Sequence, residues 1–350
     1  MSRHRRGLTG VALGLAWALI SCASEAQLRG DTGNSSAVED TGEQTPSPTP
    51  TDTGTAIDDA VDEFLVLQSN LLTEAFETVQ GVAVRDIGGA GIVGVGDALQ
   101  LVDCSAGWGK RIDLLGESEQ IVQSRVFDEA WLVAVRAGNE AALVHGETGE
   151  LVQYWNGPTL RGVGVDGDSL LVIRETPGPC QATWVRSYVE TTRIVPSEIC
   201  EQDVTVGAFG GVALVAGGGR MWKITADSIE SLGGHVDELE WDHDLGQVYG
   251  FAHGGSTAVA FTWAGQVRWS SELQGRVVSM AALPTRRAVA VLLDSVDGAF
   301  IVMLDGDTGK ELARQPINAL GDQIVAAGDG SIVANVWSAY VEFYLVGEFR

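Results

Sequence analysis

Lysine and arginine are scarce in this sequence. The 350 residues contain 22 Lys and Arg against 47 Asp and Glu, which gives a formal net charge of −25. Nucleic acids and anionic lipid headgroups are bound by clusters of basic side chains. The composition therefore excludes nucleic acid as a partner and argues against a domain that lies flat on an anionic membrane.

Long apolar runs are also missing. The best candidate, at positions 7–20, is too short to cross about 30 Å of hydrocarbon as a helix. It follows Arg3, Arg5 and Arg6, and no acidic residue occurs before it. A basic start followed by a short apolar run is typical of a secretory signal, so residues 1–21 are predicted to be a signal peptide.

Cysteine is rare, with four residues in the chain, and the first of them ends the apolar run. The sequence "LISC", Leu19 to Cys22, resembles the lipobox of bacterial lipoproteins. This resemblance implies cleavage before Cys22 and fatty acylation (palmitate) of that residue, since several acyl chains anchor a protein stably where one does not. It also implies a lipid-anchored protein of the bacterial cell envelope. Ala23 follows the cysteine in place of Asp, which favours the outer membrane by the same resemblance. An ordinary secretory signal that happens to contain Cys22 is the alternative.

Residues 22–61 are rich in Asp, Thr, Gly, Ser and Pro and nearly free of large apolar side chains. Such a segment cannot bury enough surface to offset the entropy lost on ordering. We expect a disordered acidic tether between the lipid anchor and a folded domain at 62–350.

Two further cysteines, Cys180 and Cys200, have Glu190 midway between them. If a hairpin turns at Glu190, the cysteines face each other, and an oxidising envelope compartment permits a disulfide. Two unpaired buried thiols are the alternative. Cys104 is then left single and is expected to be a small buried hydrophobe.

Proline is also sparse, at 9 residues, whereas glycine is abundant, at 45, and no long apolar stripe of period 3.6 occurs. Beyond residue 62 the chain consists of short alternating apolar runs that Gly and Asp turns separate. This pattern predicts an all-β domain. A strand, a tight polar turn and a second strand recur every 37 to 42 residues. Four strands in about 40 residues are typical of a propeller blade. We predict a seven-bladed β-propeller with four-stranded antiparallel blades. The blades are predicted near 79–115, 119–155, 159–200, 203–232, 235–273, 276–314 and 321–350.

The last repeat is incomplete, and an N-terminal segment could supply its missing outer strand. We predict that Phe64–Gln68, within 62–68, pairs with the C-terminal blade and closes the ring, which removes exposed sheet edges. One helical turn is expected at 70–77. A short amphipathic helix that caps one face of the ring is the alternative.

Two repeats carry matching hairpins, "VHGETGELV" and "LDGDTGKEL". Gly149 and Gly309 are predicted to supply the positive φ that closes a hairpin with a bulge. These repeats resemble those of pyrroloquinoline-quinone-type propellers, with Trp155 and Trp269 at the position of the terminal Trp. The run "WDHDLGQVYGF" resembles WD40-like and YncE-like repeats. The resemblance implies the fold, and without an adjacent cysteine pair it implies no quinone cofactor.

Candidate metal ligands occur in "GHVDELEWDHDLGQVYGFAHGG", where His235, His243 and His253 lie among acidic residues. Nitrogen and carboxylate ligands that converge could bind a divalent metal. The three histidines fall in different turns, however, and Asp242 and Asp244 fit a role in stabilising the turn at His243. The sequence predicts no catalytic residues and no cofactor. Trp131, Trp222 and Trp337 alternate with aliphatic residues and are expected in the core, with a minority of tryptophans at the central mouth.

Two functions follow from this sequence. The first is a non-catalytic binding or scaffold module that holds an envelope protein or polymer. The alternative is a propeller enzyme, lactonase-like or quinoprotein-like, that uses a metal or cofactor in the central channel.

Overall fold

The computed structural model describes residues 65–72, 79–85, 90–95, 98–103, 107–112, 114–115, 120–127, 130–233, 235–242, 245–327, 329–338 and 340–348. These residues form strands β1 to β28 and two short 3₁₀ turns, Ser197–Cys200 and Pro284–Arg286. The predicted signal peptide, the tether, Cys22 and Cys104 lie outside the described residues.

The first strand, β1, is Leu65–Leu72, and the later strands follow in groups of four. Sheet one contains β2 Val79–Val84, β3 Ala90–Val95, β4 Ala98–Asp103 and β5 Gly107–Ile112. Sheet two contains β6 Gln120–Phe127, β7 Ala130–Ala137, β8 Glu140–His145 and β9 Leu151–Asn156. Sheet three contains β10 Leu160–Asp166, β11 Ser169–Arg174, β12 Cys180–Arg186 and β13 Val189–Val195.

The second half of the chain repeats this arrangement. Sheet four contains β14 Thr205–Phe209, β15 Val212–Gly217, β16 Arg220–Ile224 and β17 Ile229–Ser231. Sheet five contains β18 Glu238–Asp242, β19 Gln247–Phe251, β20 Thr257–Thr262 and β21 Val267–Glu272. Sheet six contains β22 Arg276–Leu283, β23 Ala288–Ser295, β24 Gly298–Asp305 and β25 Glu311–Ile317. Sheet seven contains β26 Gln323–Ala326, β27 Ile332–Trp337 and β28 Tyr340–Val346, with β1 beside β28.

All neighbouring strands within a sheet are antiparallel, and the sheets pack face to face as the blades of a β-propeller. The innermost strands contact one another in the order β2, β6, β10, β14, β18, β22, β26 and again β2. Between successive sheets lie clusters of buried apolar side chains, each built from two sheets. The core is therefore distributed over the interfaces between blades.

The outer strand of sheet seven comes from the beginning of the described chain. β1 pairs with β28, with Leu65 opposite Val346 and Leu72 opposite Tyr340. The helical turn predicted at 70–77 is wrong for residues 70–72, and the amphipathic helix is wrong for 65–72, because these residues are strand. Phe64 and residues 73–77 lie outside the described residues.

A side chain of sheet six holds this outer strand. Gln315 Oε1 accepts a hydrogen bond from Leu65 N, and Gln315 Nε2 donates one to Leu65 O, both at 2.8 Å. The Gln315 side chain is buried. An amide side chain thus satisfies both backbone groups of Leu65, as a neighbouring strand would.

The two Thr-Gly turns are outer hairpins of sheets two and six. Gly149 and Gly309 have φ of +68° and +70°, and the strand register shifts beside each turn. A Cβ on Gly149 would overlap the Ile112 side chain, and one on Gly309 would overlap Trp269. The predicted bulged hairpins are confirmed, and their glycines also allow close packing on the preceding sheet.

Cys180 and Cys200 are joined by a disulfide, with their Cα atoms 5.8 Å apart. The hairpin turn predicted at Glu190 is wrong, because the turn lies at Ser187 and Tyr188. Cys180 lies opposite Val195 and not opposite Cys200. Strand β13 ends before Pro196, which lacks an N–H to continue the ladder. The following 3₁₀ turn returns Cys200 to Cys180.

The contact at Leu65 leads to a stability prediction. Replacing Gln315 with Ala leaves two buried backbone groups of Leu65 without partners, so we expect the free energy of unfolding to fall by about 2 kcal/mol. Urea denaturation measures this change. Gln266→Ala, at an exposed position in the turn before β21, is the control. An equal effect of both changes would contradict the role of Gln315.

Candidate functional site

The innermost strands surround a narrow cavity of about 130 Å³ at the centre of the propeller. Apolar residues such as Val82, Leu239 and Ile324 line part of its wall. The polar side chains that line it are Gln123, Ser124, Thr205, Glu238, Glu240, Ser279 and Gln323. The channel is therefore a mixture of small, apolar and polar groups with two carboxylates.

Glu240 on β18 is the carboxylate deepest in this environment. Its Oε1 accepts a hydrogen bond of 3.5 Å from Ala282 N on the next sheet. The pKa of Glu240 is raised from 4.5 to about 8, chiefly because burial disfavours the charged form. The Ala282 N–H lowers the pKa, whereas the neighbouring charges of Asp242 and Glu238 raise it. Burial thus favours the protonated, uncharged form of Glu240.

The channel opens at one face into a wider mouth of about 500 Å³. This face contains the beginnings of the innermost strands and the loops that precede them. Four carboxylates line the mouth, from Asp203, Asp237, Glu238 and Asp322, together with one arginine, Arg136. The Arg136 guanidinium donates to Leu160 O at 2.9 Å and lies 3.3 Å from Asp203. Its charge is thus already engaged, and the mouth has an excess of negative charge.

Asp237 organises the loops at this mouth. One carboxylate oxygen accepts from Gly219 N at 2.7 Å, and the other accepts from His253 N at 2.9 Å. The His253 ring Nε2 lies 2.6 Å from Glu238 Oε1. These contacts hold the loops of sheets four and five together and position Glu238 at the rim.

The three histidines predicted as candidate metal ligands do not share one site. His253 is exposed and pairs with Glu238 at the mouth, His235 is exposed in the loop before β18, and His243 lies outside the described residues. Among the described residues no group of three or more His, Cys, Asp or Glu side chains is arranged to hold a metal ion.

Asp242 has the turn-stabilising role predicted from the sequence. Its Oδ1 accepts a hydrogen bond from Leu245 N at 2.8 Å, and its Oδ2 lies 3.4 Å from the Tyr249 hydroxyl. Gln247 Nε2 donates to that hydroxyl at 2.7 Å and to Gly306 O at 2.6 Å. Trp269 Nε1 donates to the same carbonyl at 2.8 Å. This buried network ties sheet five to the outer hairpin of sheet six, so Asp242 serves the fold.

Of the five tryptophans singled out in the sequence, four lie in the core and one lies at the mouth. Trp131 and Trp222 are buried as predicted, and Trp155 and Trp269 are buried between sheets. Trp337, which was expected in the core, is only half-buried and lines the mouth. Its ring centroid lies 5.1 Å from that of Tyr340. Trp337 is thus the aromatic side chain available to a ligand at this mouth.

Sequence reasoning missed most of the mouth. Asp203, Asp237 and Asp322 come from three repeats, and each lies one or two residues before an innermost strand. An acidic residue at that place in several repeats was the available signal. The meaning of this signal depends on the tertiary structure, because the packing of the sheets brings these positions together around one cavity.

Comparisons with known proteins extend this description. The chain matches no protein-family profile, and no curated protein matches it. Solved structures do resemble it. The RRP9 WD40 repeats align with a TM-score of 0.62 at 10% identity, covering 82% of this chain and 98% of that one. The Cps50 (Swd1) β-propeller domain of Myceliophteria thermophila aligns with a TM-score of 0.62 at 12% identity, covering 81% and 99%. A chain of the Mitotic Checkpoint Complex aligns with a TM-score of 0.63 at 10% identity, covering 88% and 99%.

The chain has a WD40-like β-propeller fold. At these identities the likeness concerns the fold alone, so the chemistry of this propeller has to be argued from its own mouth and channel.

The raised pKa of Glu240 predicts how the stability of the propeller depends on pH. The folded state holds this proton more tightly than the unfolded chain, so stability is lost as the pH rises from 4.5 through about 8. Glu240→Gln removes this loss. On going from about pH 4 to about pH 9, the free energy of unfolding of the parent should fall relative to that of the variant by on the order of 2–4 kcal/mol. Urea denaturation at both pH values measures the change, with the exposed Glu230→Gln as control. A gain that is the same at both pH values would contradict the assignment.

Proposed function

We propose that this propeller is a non-catalytic binding module whose acidic mouth takes a cationic segment of a protein or polymer. The observation that carries the proposal is the charge at the mouth, which four carboxylates line. Two arginines, Arg136 and Arg161, lie within ion-pair distance of one of them, Asp203, and each also contacts another acceptor. A focused negative potential in a cleft attracts cationic ligands.

The carboxylates at the rim are accessible. The side chain of Asp203 is 63% exposed and that of Glu238 is 41% exposed. Asp322 is exposed at the start of sheet seven. A lysine or arginine side chain can therefore reach these groups without a change in the fold.

Trp337 adds a second kind of contact at the same mouth. A cation over an aromatic face gains roughly 0.5–1 kcal/mol at an exposed site. Half-buried tryptophans are also frequent anchors of protein interfaces. Carboxylates beside an aromatic ring thus favour a lysine- or arginine-containing segment over a neutral one.

We also infer that the seven sheets are the blades of one ring that β1 closes. The circular order of contacts among the innermost strands, the β1–β28 pairing and the Gln315 contacts with Leu65 support this inference. A rigid ring holds carboxylates from separate loops at fixed positions around one mouth, which favours specific binding.

Binding of fluorescent octalysine tests the proposal. We expect Glu238→Gln with Asp322→Asn to weaken binding about tenfold, because two charges leave the mouth, and we expect binding to fall steeply with salt. Fluorescence anisotropy measures the affinity. Asp227→Asn with Glu230→Gln is the matched control, since both residues are exposed in the outer hairpin of sheet four and the change in net charge is the same.

The comparison of the two variants decides the outcome. Equal weakening by both would attribute the attraction to net charge and contradict a site at the mouth. Added to the variant with Glu238→Gln and Asp322→Asn, Trp337→Ala is expected to weaken the binding of octalysine further and to leave the circular dichroism spectrum unchanged.

We propose that fatty acyl groups on Cys22 anchor this module in the bacterial cell envelope, with the outer membrane favoured. The basic start, the apolar run at 7–20 and the lipobox resemblance of Leu19 to Cys22 support this address. In the part of the chain that the structure describes, no helix is long and apolar enough to cross a membrane. An anchor at Cys22 would leave residues 22–61 to separate the propeller from the bilayer.

Metabolic labelling with an alkyne analogue of palmitate tests the anchor in a bacterial host. We expect Cys22→Ala to lose the label and to leave the membrane pellet, because the acylated thiol is gone. Cys104→Ala is the control and is expected to keep both. A label that survives Cys22→Ala would contradict the lipid assignment, and a density gradient of the membranes distinguishes the inner from the outer membrane.

A further inference from the structure

The outer strand of sheet three differs from the other outer strands that the structure describes. The pairings that contain β1, β5, β9, β21 and β25 each have a shift in register, and β17 has only three residues. β13 pairs with β12 over seven consecutive positions without a shift. Short strands and bulges protect sheet edges against pairing with another chain. β13 lacks both.

The backbone groups that β13 presents follow from its hairpin. Ser187 and Tyr188, with φ of +48° and +62°, form a two-residue turn, and Arg186 lies opposite Val189. The pair that closes such a turn is hydrogen-bonded, and hydrogen-bonded pairs then alternate along the ladder. The N–H and C=O groups of Glu190, Thr192 and Ile194 therefore point away from sheet three. Among the described residues no hydrogen bond from another part of the chain reaches them.

The side chains along this edge do not block an approaching strand. β13 contains no Lys and no Pro, and its charged side chains are Glu190 and Arg193. The Arg193 guanidinium is turned toward sheet four, where it donates to the carbonyl groups of Thr225 and Ala226. Tyr188, Val189 and Ile194 are 68%, 65% and 63% exposed. The exposed apolar surface at this hairpin thus lies along an open row of hydrogen-bonding groups.

We propose that β13 pairs with β13 of a second copy of this chain, antiparallel about a two-fold axis at Thr192. In this register Thr192 lies opposite Thr192 of the other copy, and Glu190 lies opposite Ile194. All three outward residues of each copy then fall in hydrogen-bonded pairs. The two sheets become one continuous sheet of eight strands. This dimer is independent of the binding function proposed for the mouth.

The sequence of the edge selects this centre over its neighbours. An axis at Glu190 would place two carboxylates opposite each other, which destabilises a strand pair. An axis at Ile194 would bring Thr192 opposite Pro196, which has no N–H to donate. Centring on Thr192 separates the two Glu190 residues by roughly 13 Å along the strands. This distance exceeds the screening length at physiological salt.

Charge sets how the dimer responds to salt. Each chain carries a formal charge of −25, so two copies repel at low ionic strength. Because the contact itself consists of backbone hydrogen bonds and apolar side chains, added salt removes the repulsion and leaves the contact. We expect the fraction of dimer to rise between about 50 mM and about 500 mM salt.

Cysteine cross-linking of the full chain in bacteria tests the register. In a Cys104→Ser background, Thr192→Cys is expected to give a disulfide-linked dimer. Facing residues of a hydrogen-bonded pair have Cα atoms about 5.5 Å apart, within the range of a disulfide. Ser270→Cys, at an exposed position of the bulged strand β21, is the matched control and is expected to give no dimer above background. Non-reducing electrophoresis and mass spectrometry identify the products.

A second substitution distinguishes edge pairing from chance collision. Ile194→Lys places a charge on the edge and is expected to reduce the Thr192→Cys dimer at least about fivefold. Val267→Lys, at a valine that is 61% exposed on β21, is expected to leave the yield unchanged. Equal cross-linking at Thr192 and Ser270, or a yield that Ile194→Lys does not lower, would overturn the proposal. A product whose mass differs from twice that of the chain would also overturn it, since another protein would then cover the edge.

Discussion

The structure depends on the burial of both faces of every sheet against its neighbours. Each apolar cluster contains side chains from two successive sheets, as in the cluster where Trp269 and Phe251 of sheet five meet Val291 and Val302 of sheet six. A four-stranded sheet cannot bury its faces alone, so stability comes from the interfaces between repeats. The Thr-Gly hairpins show the tightness of this packing, because a methyl group at Gly149 or Gly309 would overlap the preceding sheet.

Some polar groups at these interfaces are joined in hydrogen-bond networks that cross from one sheet to the next. Asp242, Gln247 and Tyr249 share a buried network that reaches the Gly306 carbonyl on the next sheet. Burial and the charge of Asp242 raise the pKa of Tyr249, which therefore stays a neutral donor. The acidic segment at residues 237–242 thus contributes both to the fold and to the mouth. Asp242 faces the core and serves the fold, whereas Asp237 and Glu238 lie at the start of the same strand and form the mouth.

The mouth and the open edge of β13 are separate surfaces with different chemistry. The mouth is concave and acidic, and it consists of residues near the ends of strands and of acidic residues in the loops that precede them. The edge is extended, and it offers backbone groups together with Val189 and Ile194. The first suits a charged ligand that salt displaces, and the second suits a strand whose pairing salt promotes. The two proposed sites therefore lie on different surfaces of the propeller and need not compete.

Local sequence patterns determined much of this fold. Alternating apolar runs and glycine turns predicted an all-β protein built from four-stranded repeats, and the Thr-Gly pairs predicted bulged hairpins at Gly149 and Gly309, because these features depend on neighbours in the chain. The tertiary structure decided what depends on distant residues. It placed Trp337 at the mouth, brought Asp203, Asp237 and Asp322 around one cavity, and extended β1 to Leu72 where a helical turn was expected. Pairing with β28 outweighs the local helical preference of that segment. No period in the sequence records which loops the packing of the sheets brings together.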